Sequence, residues 1–529
     1  MIITDILRQN NARYPEKAAL IERIPATGRR TQITWSDFYR QSVQTANALQ
    51  ASGIKKGDKV VQLMTNCLAW LPIYFGVLYT GAWIVPLNFR FESDKIRLCT
   101  VTAEAKVFIF GPEFVNRIEE IRQELSQFVK LWLYTGPEND CPDWACSFNQ
   151  FIRDADGLTP PDVELTPEDD AALYFTSGTT GTPKAVLHTH RALMHACEVE
   201  NNHHSQTHDD VFLCIPPLYH TGAKMHWMGS FLVGAKCVLL NGVKSEWIIE
   251  AVSEEKCTIV WLLVPWAHDI LIAIDNGRIK PADYNLSQWR LMHIGAQPVP
   301  PSLIRNWRKY FPGQDYDTNY GLTESSGPGC VHLGVENADR VGPIGIPGYG
   351  WQARIVDKQG NQLPFGETGE LIVKGPGMMK EYYKNSEATA KTIKNGWLFT
   401  GDMARSDKDG FIWLVDRRKD VIIYGGENIF PVEIENFFLK HEKIRDIAVI
   451  GVPDERLGEI PAGIISPKPN TMMCEQDILD FQSTLPRYKQ LKKIFFGDVP
   501  RNPTGKIEKP KLRRIYAEDK RKAMEILLK

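Results

Sequence analysis

Between Tyr174 and His190 the chain reads YFTSGTTGTPKAVLHTH. Thr176, Ser177, Thr179, Thr180 and Thr182 offer hydroxyls, Gly178 and Gly181 leave backbone N–H groups uncovered, and Lys184 brings a positive charge. Hydroxyls, bare amides and one ammonium converging on a loop can hold several phosphates at once. So many glycine and hydroxyl residues are costly to order, and a plain hairpin turn needs only about two to five residues. An anionic ligand accounts for them better. The loop differs from Walker A, where Gly directly precedes Lys and a helix follows. Here Pro183 precedes Lys184, and AVLHTH continues as a strand. The expected unit is strand, loop, strand, with no helix dipole directed at the ligand.

The elements that must position this loop are legible around it. Helix and strand signals alternate over roughly the first 340 residues, the pattern of a layered α/β fold. FYRQSVQTANALQASGI is an amphipathic helix stopped at Gly53, DKVVQLM is a strand, and KVFIFG and KLWLYTG are short strands ending near glycine. The uncharged run from Asn66 to Asn88, NCLAWLPIYFGVLYTGAWIVPLN, has the length of a membrane span. Pro72, Gly76, Gly81 and Pro86 interrupt it, so it reads as a buried helix followed by a buried strand. After Gly342 short strands are joined by Gly-bearing turns, and Asp409-Gly410 marks a hairpin. A third texture begins at Asp416 to Asp420. DVIIYGGENIFPVEIENFFLKH is strand, turn and helix, with Pro431 in the first helical turn and Glu433 and Glu435 near its positive end. DIAVIGVPD, PAGIISP and KIFFGDVP supply further strands. The expected fold is mixed α/β. A large multi-subdomain domain spans 1–416, β-rich over about 341–416, and a small α+β domain spans 417–529.

At 529 residues the chain exceeds one hydrophobic core. Lys and Arg number 62 against 64 Asp and Glu, so no basic field invites nucleic acid. Ten cysteines follow no framework, and Cys141 and Cys146 lack a second pair at metal-site spacing; reduced thiols of a cytoplasmic protein are expected. Asp5 and Arg8 within MIITDILRQNNARYPEK exclude a signal-peptide reading of that segment.

Four further motifs follow the loop in order: NYGLTES (Asn319 to Ser325), GWLFTGD (Gly396 to Asp402), DRRKDVIIYGGENIFPVEIE (Asp416 to Glu435) and PRNPTGKIEK (Pro500 to Lys509). With YFTSGTTGTPKAV they resemble the acyl-adenylate-forming, AMP-binding superfamily of acyl-CoA synthetases, carrier-linked adenylation domains and luciferases. The resemblance spans nearly the whole chain; Ala185 departs from the family's usual glycine. It implies that a carboxylate attacks the α-phosphate of ATP, giving acyl-AMP and pyrophosphate, and that a thiol then displaces AMP. The first step gathers negative charge that cations and donors must stabilise. By resemblance, Thr176, Ser177, Gly178, Thr179, Thr180, Gly181 and Lys184 surround the β- and γ-phosphates, Thr323 contacts phosphate, and Glu324 coordinates Mg²⁺, a hard cation suited to carboxylate. Asn319, Tyr320 and Gly321 form the nucleotide motif, with Tyr320 stacking on adenine, and Gly295, Ala296 and Gln297 line the base. Asp402 takes both ribose hydroxyls and Arg417 also reaches the ribose. Lys506 bridges carboxylate and α-phosphate, and His220 gates the acid pocket beside the adenylate. The resemblance further implies that Lys419 is the swivel of a mobile small domain, whose Gly425 and Gly426 would let backbone approach a narrow thiol channel.

The acid pocket is matched to LYHTGAKMHWMGSFL (Leu218 to Leu232) and LLVPWAHDIL (Leu262 to Leu271), with Trp227, Trp266, Met225 and Met228 as bulky walls beside Gly295. No acid lies between Leu218 and Leu232, which disfavours an amino acid, whose buried ammonium would lack a counter-charge. If Trp266 closes the floor, the acid is medium-chain or aromatic. Lys224 is expected to keep its head in solvent, and NNHHSQTH (201–208) reads as a polar loop rather than a metal site. No carrier domain follows Lys506, which makes coenzyme A the expected acceptor. The expected partners are a small carboxylate, ATP and coenzyme A, with no nucleic acid and no membrane span. The alternatives are a ligase loading a separate carrier protein, a long-chain fatty acyl-CoA synthetase and a non-catalytic nucleotide-binding homologue. Intact Glu324, Asp402, Arg417 and Lys506 oppose the last.

Overall fold

A computed structural model describes residues 1–176, 183–295, 299–417, 419–424, 427–454, 456–469, 471–501 and 506–516. Two mainly parallel sheets carry most of the chain. The first has the spatial order Glu381–Tyr382, Lys184–Thr189, Asp170–Thr176, Trp83–Pro86, Lys59–Leu63, Val107–Phe110, Leu131–Tyr134, Cys146–Ser147. The second runs Asp315–Asp317, Leu291–Gly295, Ile259–Leu263, Val211–Cys214, Lys236–Leu240, Ala18–Ile24, Arg29–Thr34. Their central strands are continuous apolar runs such as VFIF and IVWLL, as strands covered on both faces must be.

One core joins the sheets. Val60, Ile84 and Val107 of the first and Phe212, Leu239, Ile259 and Leu291 of the second pack with Phe38, Trp70, Leu193 and Trp227 from four helices. Those helices are Trp35–Ala51, Trp70–Tyr79, His190–His204 and Thr221–Leu232. The uncharged run is thus the helix Trp70–Tyr79, buried throughout, and the strand Trp83–Pro86. Its Gly76 has a packing reason: a Cβ there would stand 2.5 Å from Thr45 Cβ and 2.8 Å from the Ser42 carbonyl. Among the described residues no helix is long and apolar enough to cross a membrane.

Beyond the second sheet lie two antiparallel sheets. One comprises Asn319–Leu322, Gly327–His332 and Ile346–Pro347; the other comprises Gln352–Val356, Gly369–Lys374, Trp397–Ser406, Ile393–Lys394 and Ile412–Arg417. The hairpin closes at Asp407–Gly410, with the Gly410 N–H on the Asp407 carbonyl and Gly410 at φ +86°. The smaller C-terminal domain has its own sheet: Glu427–Ile429, Ile422–Tyr424, Gly458–Pro467 and Ile444–Asp454, with Lys493–Phe496 beside Gly458–Pro467. Pro431 does open a helix, Pro431–Phe438. Polar contacts tie the last described helix and the helix Pro431–Phe438 to the segment where this domain begins. Lys509 pairs with Glu435 at 2.9 Å, Arg513 with Asp420 at 2.7 Å, and Asp416 accepts from the Val432 N–H.

Candidate active site

Strands Asp170–Thr176 and Lys184–Thr189 pair antiparallel, with Thr176 opposite Lys184, so the loop between them is held as strand, loop, strand. Ser177, Gly178, Thr179, Thr180 and Gly181 lie outside the described residues. Lys184 Nζ stands 4.5 Å over the Tyr382 ring, and Tyr382 Oη donates to Glu324 Oε1 at 2.6 Å. Glu324 belongs to a short 3₁₀ turn, Thr323–Ser325, that follows strand Asn319–Leu322. Its half-buried carboxylate, next to the loop lysine, suits a hard divalent cation shared with phosphates. Tyr382 was not singled out from sequence; it arrives through the pairing of Glu381–Tyr382 with Lys184–Thr189. The Thr323 carbonyl accepts from buried His188 Nε2 at 2.7 Å. Desolvation, with the Lys224 charge second, takes the His188 pKa down to about 3, so this imidazole is neutral.

The nucleoside end is built on the hairpin after Asn319. Tyr320 Oη donates to Asp402 Oδ2 at 2.5 Å, and both residues are buried. Asp402 lies on Trp397–Ser406, opposite Arg417 at the end of Ile412–Arg417, with Lys419 in the turn just beyond. Asn319 Nδ2 is a buried donor with no protein partner among the described residues, the kind of group a base would satisfy. Gly321 is required by proximity: a Cβ there would lie 2.2 Å from the Gly327 carbonyl oxygen. Gly295 ends strand Leu291–Gly295, while Ala296, Gln297, Gly425 and Gly426 lie outside the described residues.

His220 caps helix Thr221–Leu232, its Nδ1 accepting the Gly222 N–H at 3.2 Å, so Nε2 carries the proton. Desolvation, then the positive charge of Lys506, brings its pKa to about 3. A lysine 286 positions away thus lies near enough for its charge to act on the helix start. Trp261 stands beside them. Its ring would meet a Cβ on Gly222 at 3.0 Å, and its unpartnered Nε1 would lie 3.8 Å from one on Gly295. Trp227 is fully buried among Trp70, Tyr74, Phe75 and Phe231. Trp266 is half-buried in the first turn of helix Val264–Asp275.

Two expectations are corrected here. NNHHSQTH is not a polar loop: helix His190–His204 runs through its first four residues, and His204 is fully buried against Glu200 and Asp317. Lys224 does not reach solvent. It is 0% exposed, donates to Ser326 Oγ at 2.8 Å and lies 5.0 Å from the Tyr174 ring, because the helix carrying it is covered on every side. No carboxylate pairs with it among the described residues, and desolvation lowers its pKa from the ordinary 10.5 to about 7. Between those values the unfolded chain binds a proton that the folded chain does not. Raising the pH through this window therefore favours folding. The stability of the wild type relative to Lys224→Met is expected to rise between about pH 7 and pH 10. Melting curves of both proteins at the two ends of that window check it; a constant difference overturns it.

A lysine at the foot of a strand–loop–strand unit, a tyrosine–carboxylate clasp and a distant lysine whose charge reaches one helix start are the features an adenylate-forming enzyme needs. The AMP-binding enzyme family matches residues 7–383, and its C-terminal domain matches 433–506. The chain is 32% identical to a feruloyl-CoA synthase of Amycolatopsis sp, over 92% of this chain and 94% of that one. It is 31% identical to the long-chain-fatty-acid–CoA ligase FadD13 of Mycobacterium tuberculosis, over 97% and 98%. Among solved structures it is similar to the anthranilate CoA ligase AuaEII in complex with anthranoyl-AMP, with TM-score 0.88, 26% identity and 97% of each chain covered. It is also similar to ATP-bound MatB of Rhodopseudomonas palustris, with TM-score 0.87, 25% identity and 98% and 99% covered. The chain belongs to the AMP-binding enzyme family and is an AMP-forming acid–CoA ligase. Enzymes of this class use ATP with Mg²⁺, a carboxylic acid and coenzyme A.

Proposed function

We propose that this ligase activates a medium-chain or aromatic acid in the cytoplasm and passes the acyl group to coenzyme A. The observation that carries this reading is the charge of Lys506 acting on His220, with Trp261 close to Gly222 and Gly295. An acid reaching that point has its carboxylate between a lysine and a helix N-terminus, and its tail against an indole. In the proposed reaction a carboxylate oxygen attacks the α-phosphorus, the bond to the bridging oxygen breaks, and pyrophosphate leaves. Lys506 holds the incoming carboxylate and the α-phosphate together. Lys184 and Thr176 support the leaving phosphates, and Asp402 clasps the ribose while Tyr320 flanks the base. Glu324 would hold Mg²⁺, which when bound offsets phosphate charge. Neutral His220 keeps a proton on Nε2 for the new acyl–phosphate group. The thiol sulfur of coenzyme A then attacks the acyl carbon, AMP departs with the bonding pair, and the thiol proton goes to solvent.

The small domain, hinged at Lys419, turns between the two steps in this reading. Lys506 and the incoming pantetheine would otherwise need the same face of one carbonyl. Pyrophosphate release across aliphatic and aromatic acids, with the product weighed as acyl-CoA, tests the proposal. Supplying a carrier protein in place of coenzyme A tests the rival acceptor. Trp261→Ala is expected to move the preference toward longer acids, with a smaller shift for Trp266→Ala. Unchanged chain-length profiles in both variants would remove the indole wall from the argument.

A further inference from the structure

Beneath the acid pocket lie six titratable side chains that the reaction does not use. Glu200, His204, His226, His293, Asp317 and His332 are each 0% exposed. Three of them, His204, Asp317 and His332, place ligand atoms within 4.8 Å of one another, and His293 stands against His204 and Asp317. His204 Nε2 lies 2.5 Å from Asp317 Oδ2 and 3.1 Å from His293 Nδ1. His293 Nδ1 and His332 Nδ1 each lie 3.3 Å from Asp317 Oδ2. Ligand atoms about 2.0–2.1 Å from a tetrahedral ion stand about 3.3 Å apart, so three of these four separations are near those of a shared metal. Among the described residues, buried His332 makes no hydrogen bond through either nitrogen, and His293 Nε2 and Glu200 Oε2 likewise have no partner.

We propose that His204, His293, His332 and Asp317 form a closed, four-coordinate site for a transition-metal ion, zinc above all. The donor set is three imidazoles and one carboxylate, which suits zinc better than magnesium or calcium. The surroundings are those of a metal site as well. His204 presents Nε2 to the site while its Nδ1 faces Glu200 Oε1 at 2.9 Å, an arrangement in which a carboxylate orients a metal-binding imidazole. His226 Nδ1 meets the same Glu200 oxygen at 2.6 Å. The Gly334 N–H donates to Asp317 Oδ1 at 2.9 Å, and the His203 ring stacks on His332 with centroids 4.0 Å apart. Charge fits too: two buried carboxylates balance one divalent cation when the imidazoles are neutral. A single proton shared at His204 would leave the cluster one positive charge short of balance.

The site is structural, since four protein ligands leave no open position and solvent does not reach them. Its ligands come from the end of helix His190–His204 and from strands Leu291–Gly295, Asp315–Asp317 and Gly327–His332. It would brace Gly295, two residues beyond His293, and Asn319, two residues beyond Asp317. The inference does not depend on which acid is used.

The test is metal analysis of tag-free protein, purified without chelator and dialysed against metal-free buffer. About one zinc per chain is expected, with removal by a strong chelator lowering the melting temperature and zinc restoring it. Replacement by cobalt should give the intense visible bands of a four-coordinate ion. His332→Gln and Asp317→Asn should lose the metal; a folded variant that keeps a full equivalent overturns the ligand assignment. Should these variants not fold, the wild-type stoichiometry and cobalt spectrum decide. Wild-type protein without transition metal, and without uptake of zinc or cobalt, overturns the site and leaves a proton as the cluster's bridge.

Discussion

Lys506→Ala is expected to slow pyrophosphate release on the order of 10²-fold or more, the scale of losing one donor aimed at charge forming in a transition state. Conversion of supplied acyl-AMP and coenzyme A to the thioester should stay within a few-fold of wild type. The contrast follows from geometry. The charge of Lys506 is felt at the start of helix Thr221–Leu232, where it depresses the His220 pKa, and in the proposed reaction carboxylate and α-phosphate meet there. Nothing in the second step creates comparable charge at that spot, because the α-phosphate is by then part of the leaving group. Lys419→Pro should do the reverse, sparing pyrophosphate release while blocking thioester formation. Both half-reactions are measured on each variant. Equal damage to both in a well-folded Lys506→Ala protein would show that the lysine does not divide the work as proposed.

Asp402→Ala carries the second large effect. The carboxylate already accepts a short hydrogen bond from Tyr320 Oη in a buried setting, which fixes its orientation before the nucleotide arrives. A fixed anion can accept from both ribose hydroxyls without reorganising. Hydrogen bonds to charged groups contribute about 1.5–3 kcal/mol each, so losing the clasp should cut kcat/KM for ATP on the order of 10²-fold or more. The KM for the acid should change little. Tyr320→Phe should reproduce part of the loss, and the double variant should fall short of the product of the two, since the residues act as a unit. Full additivity would argue that Tyr320 does not orient the carboxylate.

Local features of the fold were legible wherever a short window contains the cause. Breakers inside Asn66 to Asn88 distinguish helix and strand from a membrane span, Asp409-Gly410 marks its hairpin, and Pro431 marks a helix start. The antiparallel frame of the loop could be read because Pro183 and the β-type run beside Lys184 exclude the rival geometry. What stayed hidden depends on distant partners. Ala18–Ile24 lies parallel to Lys236–Leu240, and no local pattern announces a neighbour that far along the chain. Tyr382 reaches Glu324 only once its short strand has joined the sheet edge. Trp261 sits in an apolar strand run, and only folding reveals that its face points at Gly222 and Gly295. Lys224 is the instructive miss. TGAKMHWMGSFL has no polar stripe, and a helix apolar all round is buried; the lysine within it had to be buried as well.

The start of the small domain meets its last described helix. Arg513, in the helix Lys509–Tyr516, holds Asp420, which lies three residues past the strand Ile412–Arg417. The chain's entry and its last described helix therefore share one location, while the sheet between them is formed by its own strands. A unit of this kind is a cassette. Its neighbours need to supply only one point of attachment, and a counterpart from a relative can be spliced in at that point without rebuilding the interior of either piece. The same economy lets evolution retune the two halves separately, pairing an altered acid pocket with an unaltered domain that delivers the lysine.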